Sequence, residues 1–380
     1  MHGSMQNAFS LTGGMTVVEQ IVEQEKTVWQ KICQTDKPVL LYGMGDGAEK
    51  IVRVLDTLGK KIDGVFASDE YVRGHSFLGF PVLRYDEALR QFGDFMALVA
   101  FAVHDEPTME KIYRMADEQE LYLPDVPVIG GGLFDDTYAK IHAGELEKAY
   151  GLLADAQSWA VFENTLRFKL SGKAEYLREM TTPKEEAYRQ VLAVRPGMRY
   201  LDLGAYDGDT LREFVCHAGM PVRAEAWEPD SKNYKKLARF TLGADYPLTP
   251  RPLGSWSEPD TLRFCRKAGR NSALGEDGNV EIAVSSVDAV YPTEDFDLIK
   301  MDVEGAERRT LLGCRAMIAR CHPSLIISCY HRSEDLFDLP LLVHRLYPGY
   351  RLYLRHHPYL PAWETNLYAV AEEEGRGERG

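Results

Sequence analysis

The chain has 380 residues, of which 45% are hydrophobic and 27% charged, and its formal net charge is −14 at pH 7. This length predicts a globular protein of two or three packed domains, and the acidic balance argues against a nucleic-acid partner, which would require a basic face. The sequence contains neither a run of 18 apolar residues nor a signal peptide, so we expect a cytoplasmic protein without a membrane span. The six cysteines form no C-x-x-C pair, which argues against structural zinc and a disulfide framework.

Both ends of the chain are set apart from the predicted domains. Residues 1–15 open with Met1-His-Gly-Ser-Met5, which resembles an expression tag followed by a second start, and we predict a disordered start here. Residues 373–380 are charged and glycine-rich, and we predict a disordered tail.

Residues 16–136 alternate between short apolar runs and amphipathic segments. Strands are predicted at residues 38–42, 62–67, 80–83, 96–101 and near Val126, and helices at residues 49–58, 85–91 and 108–119. Such an alternation is typical of a parallel sheet covered by helices. We therefore predict a smaller Rossmann-like α/β domain in the first part of the chain.

A glycine-rich turn follows the first of these strands. Gly43, Gly45 and Ala48 fit the pattern G-x-G-x-x-A, and Asp69 follows at a distance suited to a ribose contact. The stretch resembles the Rossmann-like amino-terminal domains of sugar-modifying enzymes, which implies a nucleotide or nucleotide-sugar site at Gly43, Gly45, Gly47 and Asp69. The alternative is a domain without a ligand, in which the same glycines only shape the turn.

Residues 137–195 carry many charges, and their apolar residues have helical spacing. We predict a helical connector, with one apolar face around Leu146 and another around Phe162. Tyr188 is a candidate lid residue, because it precedes the glycine-bearing strand described next.

The stretch Leu201-Asp-Leu-Gly-Ala-Tyr-Asp-Gly-Asp-Thr210 is an apolar strand that runs into a glycine-bearing turn. Gly204 and Gly208 mark a sharp change from strand to helix, where a ligand can approach the backbone. Glu228 ends the next predicted strand, at residues 222–227. An acid roughly 20 positions after such a turn is placed to accept hydrogen bonds from ribose hydroxyls.

The same turn distinguishes between nucleotide cofactors. It lacks the pattern G-x-x-x-x-G-K-[ST], and its acids Asp202, Asp207 and Asp209 would repel a pyrophosphate. A nucleoside that carries a sulfonium cation would instead be attracted. The turn therefore favours S-adenosyl-L-methionine over NAD.

A second acidic segment follows the predicted buried strand at residues 298–301. Asp302 and Glu304 come at the carboxyl end of that strand, where ligands bind in open α/β sheets. Glu307 opens the next helix, where an acid complements the helix dipole, and capping is its simpler interpretation. Asp302 and Glu304 are therefore candidate site residues.

Three runs together look like the FkbM family of S-adenosylmethionine-dependent methyltransferases: Asp202-Leu-Gly-Ala-Tyr-Asp-Gly208, Glu228-Pro-Asp230 and Ile299-Lys-Met-Asp-Val-Glu-Gly-Ala-Glu307. The resemblance implies O-methylation, typically of a sugar or polyketide hydroxyl. It also implies that Gly204, Asp207 and Glu228 bind the cofactor. The cofactor set that we predict is Asp202, Gly204, Ala205, Asp207, Gly208, Glu228 and Asp302.

The far half of the second sheet is expected to bind the acceptor. An apolar strand at residues 323–329 leads to His331, and strands at residues 350–355 and 366–370 are predicted to close the sheet as an antiparallel edge pair. A histidine of ordinary pKa at a strand end suits a general base. His356, predicted in the loop between the edge strands, is a second candidate. The predicted catalytic set is His331, Asp302 and Glu304.

A metal interpretation uses the same three residues. Asp302, Glu304 and His331 offer oxygen ligands and one imidazole, a set that suits Mg²⁺ or Mn²⁺. No spacing rule requires a metal ion, however, and carboxylates at a strand end can also orient a substrate directly.

The predicted fold class is α/β, with a carboxyl-terminal Rossmann-like methyltransferase sheet at residues 196–372 that is mostly parallel and has an antiparallel edge. The predicted function is transfer of a methyl group from S-adenosyl-L-methionine to a hydroxyl of a sugar, glycan or related small molecule. The alternative is a nucleotide or nucleotide-sugar sensor, or a scaffold, whose methyltransferase fold is idle. An NAD-dependent oxidoreductase is disfavoured by the acidic turn.

Overall fold

The computed structural model of the chain describes residues 14–130, 132–265, 273–274 and 280–372. The predicted disordered tail and all but the last two residues of the predicted disordered start lie outside the described residues, so both stay predictions. The described chain contains two mainly parallel sheets, a helical segment between them and a small four-stranded sheet.

The first sheet and its helices are formed by residues before position 123. The strands are β1 (Val39–Tyr42), β2 (Gly64–Phe66), β3 (Ser76–Phe77), β4 (Phe80–Leu83), β5 (Met96–Val99) and β6 (Glu120–Tyr122); the helices are α1 (Val17–Gln24), α2 (Val28–Gln34), α3 (Asp46–Thr57), α4 (Tyr85–Phe92) and α5 (Glu106–Glu118). The strand order is β3-β4-β2-β1-β5-β6, and all pairs are parallel except β3 with β4. Both β1 and β5 are buried at every position, as expected for parallel strands with helices on both faces.

The last strand of this sheet differs from the sequence prediction. A strand was expected near Val126, but β6 ends at Tyr122. Pro124 and Pro127 lack the N–H group that a strand interior must donate, so the chain leaves the sheet before them.

The segment between the sheets is helical. Its helices are α6 (Asp136–Ile141), α7 (Ala143–Gly151), α8 (Ala156–Ser171), α9 (Ala174–Met180) and α10 (Lys184–Glu186), and a π-helical turn follows at Ala187–Val191. Leu146 and Phe162 are buried, in agreement with the predicted apolar faces. Helix α8 packs against α1 and also against the strand at Tyr350–His356, so the segment contacts a helix of the first part of the chain and a strand of the second sheet.

The remaining strands are β7 (Arg199–Leu203), β8 (Arg223–Trp227), β9 (Leu248–Arg251), β10 (Gly254–Ser255), β11 (Asp260–Cys265), β12 (Ala273–Leu274), β13 (Val280–Ser285), β14 (Leu298–Met301), β15 (Ser324–Ser328), β16 (Tyr350–His356) and β17 (Thr365–Ala371). The remaining helices are α11 (Asp209–Ala218), α12 (Ser231–Thr241), α13 (Val287–Val290), α14 (Glu307–Gly313), α15 (Arg315–Cys321) and α16 (Asp335–Leu346).

Seven of these strands form the second sheet in the order β16-β17-β15-β14-β7-β8-β9. The five strands from β15 to β9 are parallel, whereas β17 is antiparallel to both β15 and β16. This confirms the predicted mostly parallel sheet with an antiparallel edge. The carboxyl ends of the parallel strands and the amino end of β17 therefore meet at one edge of the sheet.

A small sheet with the order β10-β13-β11-β12 is inserted between β9 and β14. The sequence analysis did not predict it. Strand β13 alternates between exposed and buried residues, and Ile282 and Val284 are on its buried face. That face points toward the same edge of the second sheet.

One hydrophobic core cluster extends through both large sheets and the helices between them. Val99 of the first sheet, Leu166 of α8 and Ile327 of β15 all belong to it. The predicted domain limits, residues 16–136, 137–195 and 196–372, therefore stay a prediction, because the packing is continuous across them. Along the described residues, each helix is too short or too polar to cross a membrane.

Candidate functional site

A cleft opens at the carboxyl edge of the second sheet, with an empty volume of about 1360 Å³ counted out to its mouth. Of the predicted site residues, those that line the cleft are Gly204, Glu228, Asp302, Glu304 and His331. The parallel strands bring them together from positions more than a hundred residues apart.

Gly204 is required by the way the two central strands end. Its φ is +84°, and a Cβ there would overlap the backbone oxygen of Asp302 and lie 2.8 Å from the carbonyl carbon of that residue. Gly208 also has a positive φ, +91°, and a Cβ there would meet the Phe240 ring. At both glycines, the missing side chain therefore makes room for another part of the same chain.

Three residues of the predicted cofactor set do not line the cleft. Asp202 is fully buried, accepts a hydrogen bond from the Thr210 hydroxyl, and lies 3.6 Å from Lys300 Nζ. Ala205 is buried and its N–H donates to the Trp227 oxygen at 2.9 Å. Asp207 pairs with Arg212 at 2.9 Å. These residues, like Gly208, shape the turn and are not among the cleft residues.

Glu228 is a buried carboxylate held by the backbone. Its Oε2 accepts the Tyr206 N–H at 3.0 Å, and its Oε1 accepts the Asp230 N–H at 2.8 Å. Burial raises the pKa of Glu228 to about 7, and both backbone bonds act in the opposite direction. Each oxygen keeps a second lone pair for a further donor. A ligand with paired hydroxyls would satisfy this oriented carboxylate.

A group of carboxylates surrounds His331 at the ends of β14 and β15. The His331 Nδ1 lies 2.9 Å from Glu307 Oε1, and its Nε2 lies 3.5 Å from Asp302 Oδ1 and 3.6 Å from Glu304 Oε2. The imidazole is buried, whereas Asp302 and Glu304 are partly exposed to the cleft. Both ring nitrogens thus contact anionic oxygens.

The carboxylates around His331 contradict the expectation that its pKa is that of an ordinary histidine. Burial alone would lower the pKa of His331, but the neighbouring carboxylates, Glu307 first, raise it to about 10. His331 is therefore an imidazolium at neutral pH and has no lone pair with which to accept a proton. Burial raises the pKa of Glu304 to about 8. For Asp302, burial is outweighed by Lys300 and His331, which lower its pKa.

The contacts of His331 also bear on the predicted metal site. One ligand atom each of Asp302, Glu307 and His331 lie within 4.8 Å of one another. Glu307 thus takes the place that the sequence analysis gave to Glu304. A metal ion would have to displace the proton that the carboxylates hold on His331, so the arrangement suits an imidazolium better than a metal ligand.

The second candidate base is not in a loop. His356 is the last residue of β16 and is fully buried, with its Nδ1 3.0 Å from the Thr365 hydroxyl. Burial lowers the pKa of His356 to about 3 and that of its buried neighbour His357 to about 4. Neither residue is among those that line the cleft, so His356 is not a candidate base.

These two histidines predict acid sensitivity. Both are buried as neutral rings, and their folded-state pKa values lie below the unfolded value near 6.5, so the contribution of these two residues to folding stability should fall as the pH drops below about 6.5. We expect this contribution to fall by an amount on the order of 3 kcal/mol between pH 7 and pH 5. As the pH is lowered, the melting temperature of His356→Gln measured by calorimetry should therefore rise relative to that of the unmodified chain. A matched change at the partly exposed His344 should leave the slope unaltered.

Tyr188 does not serve as a lid over the cleft. It is buried, and its ring stacks on His217 with centroids 4.8 Å apart. Lys184, in the preceding short helix, lines the cleft instead.

The glycine turn of the first sheet is explained by packing. A Cβ at Gly43 would meet the Phe101 ring, and a Cβ at Gly47 would lie 2.9 Å from the Ala100 oxygen. Asp69 lies 3.3 Å from Arg84 and is exposed. Gly45 likewise faces the Ala100 oxygen, at 3.3 Å. A nucleotide or nucleotide-sugar site at these residues stays a prediction.

The sequence analysis missed one wall of the cleft. Its residues are Val128, Lys184, Glu213, Tyr330, Tyr359, Trp363 and Glu364. The position of Glu364 could have been predicted. It lies in the loop before β17, and an antiparallel β17 begins at the edge where the parallel strands end. Nothing local in the sequence pointed to Val128 or Lys184.

The first sheet supports this wall directly. Val103 and Leu360 exchange two backbone hydrogen bonds of 2.8 Å, and the His104 ring stacks on Tyr359 at 5.8 Å. The Ile129 N–H donates to the His331 oxygen at 2.9 Å. Loops of the first sheet thus hold both the aromatic loop and the strand end that carries His331.

Three non-glycine residues of the cleft have a left-handed backbone: Tyr206 (φ 49°), Glu304 (φ 52°) and Glu364 (φ 66°). This conformation costs an ordinary residue roughly 1–2 kcal/mol. Such strain concentrates at functional sites, where surrounding structure maintains it. It marks these three positions as candidates for function.

Comparison with known proteins agrees with this geometry. The Methyltransferase FkbM domain matches residues 202–361, which supports a methyltransferase domain in this part of the chain. The crystal structure of methyltransferase FkbM from Methylobacillus flagellatus KT is similar over 94% of this chain and 94% of that one, with 21% identity and a TM-score of 0.68. The chain therefore has the fold of that protein along nearly its whole length.

Two further structures are similar over about half of the chain. Aeropyrum pernix fibrillarin with natively bound S-adenosyl-L-methionine covers 46% of this chain and 67% of its own, with 14% identity and a TM-score of 0.30. Precorrin-6y C5,15-methyltransferase from Geobacter metallireducens GS-15 covers 50% of this chain and 87% of its own, with 9% identity and a TM-score of 0.32. No curated protein matches it.

Proposed function

We propose that the chain is an S-adenosyl-L-methionine-dependent O-methyltransferase that acts on a hydroxyl of a sugar, glycan or related small molecule. The observation that carries the proposal is the Glu228 carboxylate, which is buried and oriented by two backbone N–H groups beside the Gly204 turn. It lies in the cleft of a methyltransferase domain, where the ribose of a nucleoside cofactor would supply two hydroxyl donors.

The charge of the cleft fits such a cofactor. Glu228 and Asp230, which follow β8, and Asp302 and Glu304, which follow β14, all line it. A sulfonium cation is stabilised by nearby carboxylates, whereas a pyrophosphate would be repelled. When bound, the cofactor supplies a methyl group on a sulfonium. The tasks left to the chain are to place the acceptor hydroxyl and to take its proton.

We assign the proton-accepting role to Glu304. A general base works best when its pKa lies near the working pH, and burial brings the pKa of Glu304 to about 8. Asp302 has a lowered pKa and is the weaker base. His331 lies 3.6 Å from Glu304 and remains positively charged, so its role is to hold the carboxylates in place and to balance their charge.

The cofactor assignment is tested by Glu228→Gln. The substitution removes the negative charge and turns one amide N–H₂ toward a backbone donor, so we expect S-adenosylhomocysteine to bind at least tenfold more weakly, about 1.5–3 kcal/mol. Isothermal calorimetry measures this change. Glu281→Gln, at an exposed position of β13 outside the cleft, is the control and should bind as the unmodified chain does. Equal affinity in the two variants would contradict the assignment.

A further inference from the structure

The acidic side chains of the cleft outnumber its cationic ones. Among the described residues, seven acids line the cleft: Asp209, Glu213, Glu228, Asp230, Asp302, Glu304 and Glu364. Three cations line it among the described residues: Lys184, Lys300 and His331. A walled cleft with this excess focuses a negative potential on whatever enters. The potential extends over the acceptor half as well as the cofactor half, because Glu364 lies just before β17, which is beyond β14 and β15 in the strand order.

Each of the three cations already has carboxylate partners. Lys184 lies 3.0 Å from Glu213 and 3.2 Å from Glu364. Lys300 lies 3.6 Å from Asp202 and 3.7 Å from Asp302. The imidazolium of His331 contacts three carboxylates, as described above. Phosphate recognition normally relies on Arg or Lys side chains that are available to pair with it. Here a phosphate would have to separate an existing pair before it met a positive charge.

The acceptor half also has an aromatic wall. Tyr359 and Trp363 line the cleft with ring centroids 5.9 Å apart and an interplanar angle of 30°. The Tyr330 hydroxyl lies 3.3 Å from Asp302 Oδ1, next to this pair along the edge. Aromatic rings bury the apolar surface of a ligand, and carboxylates and a tyrosine hydroxyl accept hydrogen bonds from its hydroxyl groups. This combination suits a ring that is apolar on its face and rich in hydroxyls at its rim.

We infer that the acceptor is an uncharged, hydroxyl-bearing ring compound, and that the cleft excludes phosphorylated and nucleotide-linked forms of the same compound. The inference rests on the proposed methyltransferase function and narrows its substrate class. Under the proposed function the reacting group is a hydroxyl. Its oxygen bonds the methyl carbon as the carbon–sulfur bond of the cofactor breaks, and its proton passes to a carboxylate of the cleft.

The test compares matched probes on the full chain. Methyl glycosides of common hexoses and deoxyhexoses are titrated by calorimetry beside the 1-phosphates and UDP derivatives of the same sugars, with and without S-adenosylhomocysteine. We expect at least one neutral glycoside to bind, and its phosphorylated partners to bind at least tenfold more weakly. The difference in affinity between the neutral glycoside and its phosphorylated partners should become smaller at high ionic strength, because the repulsion of the phosphate by the cleft is electrostatic.

A variant pair isolates the contribution of the cleft. Glu364→Gln removes one partner of Lys184 and one negative charge, and it should reduce the preference for the neutral sugar by about three- to tenfold. Glu23→Gln, at an exposed position of α1, is the matched control and should leave the preference unchanged. Tighter binding of the phosphorylated form overturns the inference, and so does a chain that binds S-adenosylhomocysteine but none of the neutral glycosides. Failure of the proposed function is distinguishable, because S-adenosylhomocysteine alone would then give no binding heat.

Discussion

Replacing Gly204 with alanine is expected to abolish cofactor binding and to lower the stability of the folded chain by about 3 kcal/mol or more. The new Cβ would overlap the backbone oxygen of Asp302, which is held in place by the pairing of β14 with β7. Backbone atoms cannot rotate away, so the two strand ends would have to separate. Gly204 and Asp302 both line the cleft, and their separation would displace the cofactor side of the site.

Gly197 provides the control for that prediction. Its φ is +83°, almost the same as at Gly204, but the described structure places no atom within 4 Å of a Cβ there. Gly197→Ala should therefore lower the folding stability only by the cost of a left-handed backbone conformation, roughly 1–2 kcal/mol. It should bind S-adenosylhomocysteine as the unmodified chain does. Scanning calorimetry and titration calorimetry measure the two effects. Similar behaviour of both variants would show that overlap with Asp302 is not what makes Gly204 necessary.

The architecture was predictable because its signals are local. Apolar runs of strand length alternate with amphipathic segments, and this pattern indicates parallel sheets whatever the partners of each strand. The antiparallel edge formed by β16 and β17 was predictable from two strands joined without a helix. The small sheet at β10 to β13 was missed, since its short strands pair with one another across a segment without clear periodicity.

The roles of individual site residues depend on neighbours that only the register of the sheet reveals. Asp202 was predicted to bind the cofactor, but Lys300 on the adjacent strand lies beside it and both are buried. Glu307 was interpreted as a helix cap, and its Oε1 does accept the Val303 N–H at 3.0 Å. The same oxygen lies 2.9 Å from His331. That second contact changes the charge of the histidine, and no spacing in the sequence announces it.

The contribution of the first sheet to the site was also beyond the sequence. Val128 lines the cleft, and Lys50 Nζ donates to its carbonyl oxygen at 3.0 Å. Contacts such as Val103 with Leu360 join loops more than 250 positions apart, and such pairs leave no periodic pattern. Residues that follow the first sheet thus form part of the cleft wall, whether or not that sheet also binds a ligand of its own.

Glu304→Gln is expected to lower methyl transfer by about 10²- to 10⁴-fold while the affinity for S-adenosylhomocysteine changes by less than twofold. The carboxylate form of Glu304 is the proposed base, and it is present above its pKa, which burial raises to about 8 in the cofactor-free chain. Turnover should therefore rise with pH through this region. Transfer of label from S-adenosyl-L-methionine to the acceptor, followed from pH 6 to pH 9, measures the rise, which should be absent from the residual activity of Glu304→Gln.

The substitution His331→Gln distinguishes Glu304 from His331 as the residue that accepts the proton. The imidazolium lowers the pKa of Glu304, so its removal should move the rising limb of the profile to higher pH. The maximum rate at alkaline pH should then recover to a large part of the unmodified value, because the carboxylate base is still present. If His331 itself were the base, His331→Gln would instead lose activity at every pH, and Glu304→Gln would keep a rising limb. The direction in which the limb moves therefore decides which residue takes the proton, independently of how much stability either substitution removes.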